Sequence, residues 1–140
     1  MMNREMAEII RNQKPFKLPP TASVQEACKH MHARKIGAVL VTNESDELVG
    51  IFTGRDAVRV LAEGKADAET RLTHVMTKQP DCLPPGHTAI HALRLMRDGG
   101  FRHVPIVHEG VVIGIVSRGD FRGLEQDRLD EETGIWETMR

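Results

Sequence analysis

Apolar positions recur twice in the same order along the chain. Leu48-Val49-Gly50-Ile51-Phe52 runs unbroken into Thr53-Gly54-Arg55-Asp56, and Val112-Ile113-Gly114-Ile115-Val116 runs into Ser117-Arg118-Gly119-Asp120. Each stretch predicts a strand that turns, at a hydroxyl and then a carboxylate, into a helix start. The residues upstream overlay as well. A shift of 65 places Pro15 on Pro80, Pro19-Pro20 on Pro84-Pro85, Ala27 on Ala92, Met31 on Met96 and Val39 on Val104. Past the next turn the shift is 64, because Asn43-Glu44-Ser45-Asp46-Glu47 gives way to the shorter His108-Glu109-Gly110. Such a length change suits a surface turn, and the repetition makes two copies of one unit the expected architecture.

Within each copy the period changes from 2 to 3.6 and back. Ser23-Val24-Gln25-Glu26 has capping-box spacing, and Val24, Ala27, Cys28 and Met31 form one apolar face of a helix over about 24–34. Behind Thr88, the residues Ala89, Ala92, Leu93 and Met96 repeat that face up to a stop at Gly99-Gly100. Strands are expected at 36–41 and 101–107, the latter at an edge or bulge because Pro105 lacks an amide hydrogen. Ala57, Val60 and Leu61 predict a helix after the first motif, ending at Gly64.

The expected fold class is therefore α+β. Two β-α-β-β-α repeats pack with pseudo-twofold symmetry, as small, mostly three-stranded sheets with helices on one side. The expected divisions are an N-terminal extension (1–13), repeat 1 (14–66), a linker (67–78), repeat 2 (79–128) and an acidic tail (129–140). Met6, Ile9 and Ile10 suit a short helix packed on the body or on a second chain. In the tail, Trp136 suits burial against the body or a partner subunit.

Composition narrows the function. Each half of a 140-residue chain is too small to bury much surface alone, so the halves are expected to share a core. A hydrophobic fraction of 40%, a charged fraction of 28% and a net charge of −1 give no reason to invoke nucleic acid or a membrane. Without an apolar signal core near the start, a cytoplasmic location is expected. Cys28 and Cys82 occupy non-equivalent repeat positions and form no CxxC, which argues against a disulfide framework or a zinc site.

The repeated motif carries the chemistry. A strand ending in Thr53 or Ser117 and turning into a helix at Asp56 or Asp120 gathers a hydroxyl, unpaired amides and a carboxylate. Amides at such a turn suit phosphate, and a carboxylate suits the vicinal hydroxyls of ribose. Arg55, Arg102 and Arg118 are close enough in sequence to approach phosphate oxygens. A simple helix cap explains one copy equally well. Two copies in equivalent places favour binding, and the two roles are compatible.

Three stretches together make the chain resemble a tandem pair of cystathionine-β-synthase-type (CBS) domains, a Bateman module, over about residues 14–128. They are Gly-Ile-Phe-Thr-Gly-Arg-Asp at 50–56, Gly-Ile-Val-Ser-Arg-Gly-Asp at 114–120 and Gly-Phe-Arg-His-Val-Pro-Ile-Val at 100–107. The resemblance implies a regulatory module that binds AMP, ADP, ATP, NAD(H) or S-adenosylmethionine in clefts between the repeats. It also implies a homodimer signalling to a downstream protein that the sequence does not name. By that analogy Asp56 and Asp120 hold ribose, and Thr53 and Ser117 contact ribose or phosphate. One cleft would group Arg102, His103 and Pro105 with Thr53 and Asp56, the other Ile36, Gly37 and Ala38 with Ser117 and Asp120. Gly37-Ala38 stand where the second copy has Arg102-His103, so unequal sites are expected, the Arg102 one preferring a phosphorylated ligand.

Other classes find less support. No GxSxG, P-loop, GxGxxG or HExxH motif is present, so no catalytic residues are assigned. His87 and His91 have metal-ligand spacing without an evident third ligand, His30 and His32 would not share a helix face, and no metal site is assigned. Arg118-Gly119-Asp120 spells an adhesion tripeptide, a match near chance. The main alternative is a structural interaction module with empty clefts.

Overall fold

A computed structural model describes residues 4–121. In chain order the elements are α1 (Met6–Ile9), β1 (Lys17–Leu18), α2 (Val24–Arg34), β2 (Ala38–Thr42), β3 (Leu48–Thr53), α3 (Gly54–Ala62), α4 (Leu72–Val75), β4 (Thr77–Lys78), α5 (Ala89–Gly99), β5 (His103–His108), β6 (Val111–Ser117) and a 3₁₀ turn (Arg118–Asp120). They fall into two compact units. The first comprises 14–81 with 109–112, and the second comprises the described residues of 1–13, 82–108 and 113–140. The acidic tail, Trp136 and any helix beyond Phe121 lie outside the described residues.

In the first unit the strands form one sheet in the order β1-β2-β3-β4, with β1 parallel to β2 and the other pairs antiparallel. Helix α2 starts where Ser23 Oγ accepts the Glu26 amide at 3.0 Å, the hydroxyl half of the expected box. It closes on Lys35 in the left-handed region at φ 55° and buries Val24, Ala27 and Met31. That face meets Val39, Val41 and Phe52 from the sheet, Val60 from α3, and Leu72 and Val75 from α4. Lys17 Nζ sits 2.8 Å from both carboxylate oxygens of Asp46 and 3.2 Å from the Val112 carbonyl, tying β1 to the hairpin turn and to the start of β6.

The second unit is leaner. Strands β5 and β6 form a two-stranded sheet, joined by Glu109 (φ 51°) and Gly110 (φ 83°). Two positive φ values in succession match the tight hairpin turn whose twist suits the flanking strands. The first strand of the second repeat is only a parallel bridge between Leu83 and Ile106, in which Leu83 donates to the Pro105 carbonyl and Val107 donates to the Leu83 carbonyl, both at 3.0 Å. Pro105 lies within β5 at little cost, since its missing amide hydrogen falls on the sparsely bonded side facing Leu83. Among the described residues the sheets are thus four- and two-stranded, not mostly three-stranded. Helix α5 ends at Gly100 with φ 72°, as the double glycine predicts, and buries Ala89, Ala92, Leu93 and Met96 against Met6, Val104, Ile106 and Val116.

One short segment completes each unit, and the two segments are equivalent at a shift of 66. In the first unit Val24 donates to Thr70 O (2.9 Å), Leu72 to Ala22 O (2.9 Å) and Thr73 to Pro20 O (3.0 Å). In the second unit Ala89 donates to Arg4 O (2.6 Å), Met6 to His87 O (2.8 Å) and Ala7 to Pro85 O (3.0 Å). Leu72 and Met6, the equivalent apolar anchors, are both fully buried. Each segment also explains a glycine of the repeated motif. A Cβ on Gly50 would lie 2.5 Å from Met76 Sδ, and one on Gly114 would lie 2.9 Å from Ile10 Cβ.

These approaches differ in how easily they give way. The Met76 thioether can swing aside, whereas the Ile10 Cβ is fixed to its backbone and branched. Gly114→Ala is expected to destabilise the protein by about 1–3 kcal/mol through overpacking, and Gly50→Ala by less. Urea unfolding of both variants checks the order; equal effects would remove this account of Gly114.

Candidate functional site

At the first corner β3 runs directly into α3. Thr53 is the N-cap, and its Oγ1 accepts the Asp56 amide at 3.2 Å. Asp56 Oδ2 returns the contact by accepting the Thr53 amide at 3.0 Å and the Thr53 hydroxyl at 3.1 Å. The Thr77 hydroxyl reaches both carboxylate oxygens at 3.3 and 3.4 Å, and Arg59 Nη2 lies 3.4 Å from Oδ1. Arg59 also donates to the Val75 carbonyl, fastening α4 to this corner. Asp56 is 8% exposed, so its carboxylate is buried and engaged on both oxygens. Gly37 accepts the Gly54 amide at 3.0 Å, Ala38 pairs with Thr53, and Ile36 donates to Met31, placing all three beside this corner. Arg55 is exposed in the first turn of α3.

The second corner has the same plan with an open carboxylate. Asp120 Oδ2 accepts the Ser117 amide at 2.7 Å and the Ser117 hydroxyl at 3.2 Å, while Oδ1 accepts no hydrogen bond among the described residues. Asp120 is exposed where Asp56 is buried. The Arg118 amide donates to the Arg102 carbonyl at 3.0 Å, so the start of β5 lies against the turn. Arg4 Nη2 donates to the Asp120 carbonyl at 2.9 Å, across 116 positions of sequence. His103 is half-buried and shares a strand face with buried Pro105. Burial lowers the His103 pKa from 6.5, the Arg102 guanidinium lowers it further, and Asp120 opposes both.

Within the units, then, Arg102, His103 and Pro105 stand with Ser117, Arg118 and Asp120, and Ile36, Gly37 and Ala38 stand with Thr53, Arg55 and Asp56. The sequence reading overlooked Arg59, Thr77 and Arg4. Arg59 was findable, since a helical residue three beyond Asp56 shares its face. Thr77 and Arg4 reach their corners only through the segments that complete each unit. Among the described residues no three His, Cys, Asp or Glu side chains gather as a metal site, and the His87 and His91 rings, 5.1 Å apart, remain a pair.

Two measurements follow from this asymmetry. Asp56→Ala leaves buried donors without an acceptor and is expected to cost about 1–3 kcal/mol in urea unfolding, whereas Asp120→Ala is expected to cost markedly less. Because the folded His103 pKa is depressed, the unfolded chain binds the extra proton, so this group's contribution to stability falls as pH drops through 6.5 and is restored above it. NMR titration is expected to show the His103 pKa falling further in Asp120→Asn, which removes the opposing charge. An unchanged value would separate the two residues.

Comparison with known proteins completes the picture. The CBS domain family model matches twice, over residues 6–63 and 72–126. A CBS domain-containing protein of Arabidopsis thaliana is 38% identical over 108 residues, covering 76% of this chain and 20% of its own length, so the chain spans about a fifth of that relative. The crystal structure of a CBS-domain containing protein from Agrobacterium tumefaciens superposes with a TM-score of 0.78 at 31% identity, covering 89% of this chain and 98% of the other. A CBS domain protein from Pyrobaculum aerophilum, complexed with AMP, superposes with a TM-score of 0.81 at 22% identity, covering 91% and 98%. With two matched repeats and the same strand-to-turn corner in each, the chain belongs to the CBS domain family.

Proposed function

We propose that this chain is a regulatory sensor, not an enzyme, and that it holds an adenosine-containing ligand at the Ser117–Asp120 corner. The observation that carries this reading is the Asp120 carboxylate, exposed and with Oδ1 unengaged among the described residues. A carboxylate in that state accepts two hydroxyl hydrogens, as the vicinal pair of a ribose requires. Arg102, Arg118 and Arg4 bring positive charge to the same corner, which favours a phosphorylated ligand over a neutral nucleoside. The AMP complex of the Pyrobaculum aerophilum relative supports the adenosine class. The Thr53–Asp56 corner serves mainly as a structural cap, so the chain has one strong site and one weak or silent one. The free ligand is sensed without turnover, and its binding alters how a downstream protein is engaged.

A second reading, a scaffold working through its surface, draws on α3. Val58 and Leu61 project from that helix at 68% and 71% exposure, an apolar strip suited to a second copy of the chain. The two readings separate in thermal melts with AMP, ATP and NAD. A ligand at 100 times its Kd is expected to stabilise by about 2.7 kcal/mol, and no shift with any of them favours the scaffold. Asp120→Ala is expected to weaken binding by roughly 10- to 150-fold, the loss of one charge-assisted acceptor. An unaltered titration would remove the ribose assignment.

A further inference from the structure

Beyond their matched anchors the two copies take different paths. In the first unit Met76 leaves α4 extended, with φ −64° and ψ 159°, and the next two residues form β4, Thr77 pairing with Ile51 and Lys78 with Gly50. At the shift of 66 their counterparts are Arg11 and Asn12, and the counterparts of Ile51 and Gly50 on β6 are Ile115 and Gly114. Ile10 stands in the place of Met76 but has φ −93° and ψ 4°. The chain therefore curls, and the Gln13 amide donates to the Ile10 carbonyl at 2.9 Å. Among the described residues no strand pairs with β6 on its outer edge. A single side chain holds that place: the Gln13 carboxamide donates to the Ile115 carbonyl at 2.8 Å and accepts the Ile115 amide at 2.6 Å.

The two junctions differ mainly in one dihedral. Rotating ψ at Ile10 carries residues 11–13 with it and leaves the Ile10 side chain seated against Gly114. Backbone bonds from residue 11 would then take over Ile115 from the Gln13 side chain. Neither form leaves that strand position unsatisfied, so the exchange is nearly balanced. The moving residues are loosely held, since Arg11 and Asn12 are exposed and, with α1, line an open cavity of about 460 Å³. The sequence supplies slack as well: Pro80 follows Gln79 at once, whereas Lys14 intervenes between Gln13 and Pro15.

We propose that residues 11–13 are a strap that closes on β6 as an added strand, with Ile10 as its hinge and the Gln13 side chain as the catch that keeps it open. Closure makes the second sheet three-stranded and carries Arg11 to the place from which Thr77 reaches Asp56 in the first unit. A guanidinium there pairs with the Asp120 carboxylate. The closed strap thus withholds that carboxylate, and a ligand at the corner holds the strap open. This consequence for the ligand rests on the adenosine site proposed above, whereas the strap itself does not.

Hydrogen exchange at the Ile115 amide, measured in the full chain and in Gln13→Ala, tests the strap. With the catch removed the strap is expected to close, so the amide stays protected to within about 3-fold of the parent chain, and an Hα–Hα NOE joins Asn12 to Gly114. Exchange accelerated beyond that, or residues 10–13 still curled without the NOE, overturns the proposal. Asn12→Val keeps Gln13 in place and serves if the first variant folds poorly. Its stronger preference for strand is expected to bring up the same NOE, and failure to do so overturns the proposal equally. Adenosine, titrated calorimetrically, reads the consequence for the ligand: Gln13→Ala is expected to bind it about 5-fold more weakly or worse, and equal binding refutes the competition. Adenosine that does not bind the parent chain removes the proposed ligand and leaves the exchange result standing.

Discussion

Backbone amides at the end of a strand must find acceptors when the chain turns, and in this protein a carboxylate three residues ahead supplies one. Asp56 and Asp120 each accept the amide and hydroxyl of the residue at the corner, Thr53 and Ser117. That contact fixes where α3 and the 3₁₀ turn begin, and with them the direction of every side chain that follows. The same geometry places a charged group at the mouth of each turn. Whether the charge is available to a ligand then depends on its surroundings, and the two copies diverge there. Thr77 and Arg59 enclose one carboxylate, and the other remains open.

Arg59 comes from α3 itself, whereas Thr77 follows directly on the segment that completes its unit. Residues 70–76 and 4–10 make matching hydrogen bonds and bury matching anchors, Leu72 and Met6, against glycines that leave room for them. Their polar positions are less constrained. Thr70 and Thr77 on one side answer to Arg4 and Arg11 on the other, with different chemistry. A duplicated fold has thus kept its packing and varied its charge along the segments that complete the two units.

Much of this was legible in the sequence because it repeats. The overlay of Gly50-Ile51-Phe52-Thr53 on Gly114-Ile115-Val116-Ser117 located both corners, and the apolar stripes at Val24, Ala27 and Met31 and at Ala89, Ala92 and Met96 located both long helices, since burial enforces the period of 3.6. The first strand of the second β-α-β-β-α repeat is reduced to a single bridge at Leu83. The roles of Arg4 and Thr77 were out of reach, because side-chain contacts between distant segments leave no periodic trace. The overlay also stopped too early. Met6, Ile9 and Ile10 answer to Leu72, Val75 and Met76, but four-residue helices are too short for a pattern to stand out.

The contact between Arg4 and Asp120, near opposite ends of the described chain, has a bearing on synthesis. Residues 14–81 hold most of what the first unit needs and can begin to assemble as soon as they emerge from the ribosome. The segment carrying Met6 and Ile10 emerges earlier still, yet its partners Ala89 and Gly114 follow only after the whole of residues 14–81. Until then those apolar side chains stand without their native cover. The second unit closes after the first, and its segments must meet across 116 positions of sequence.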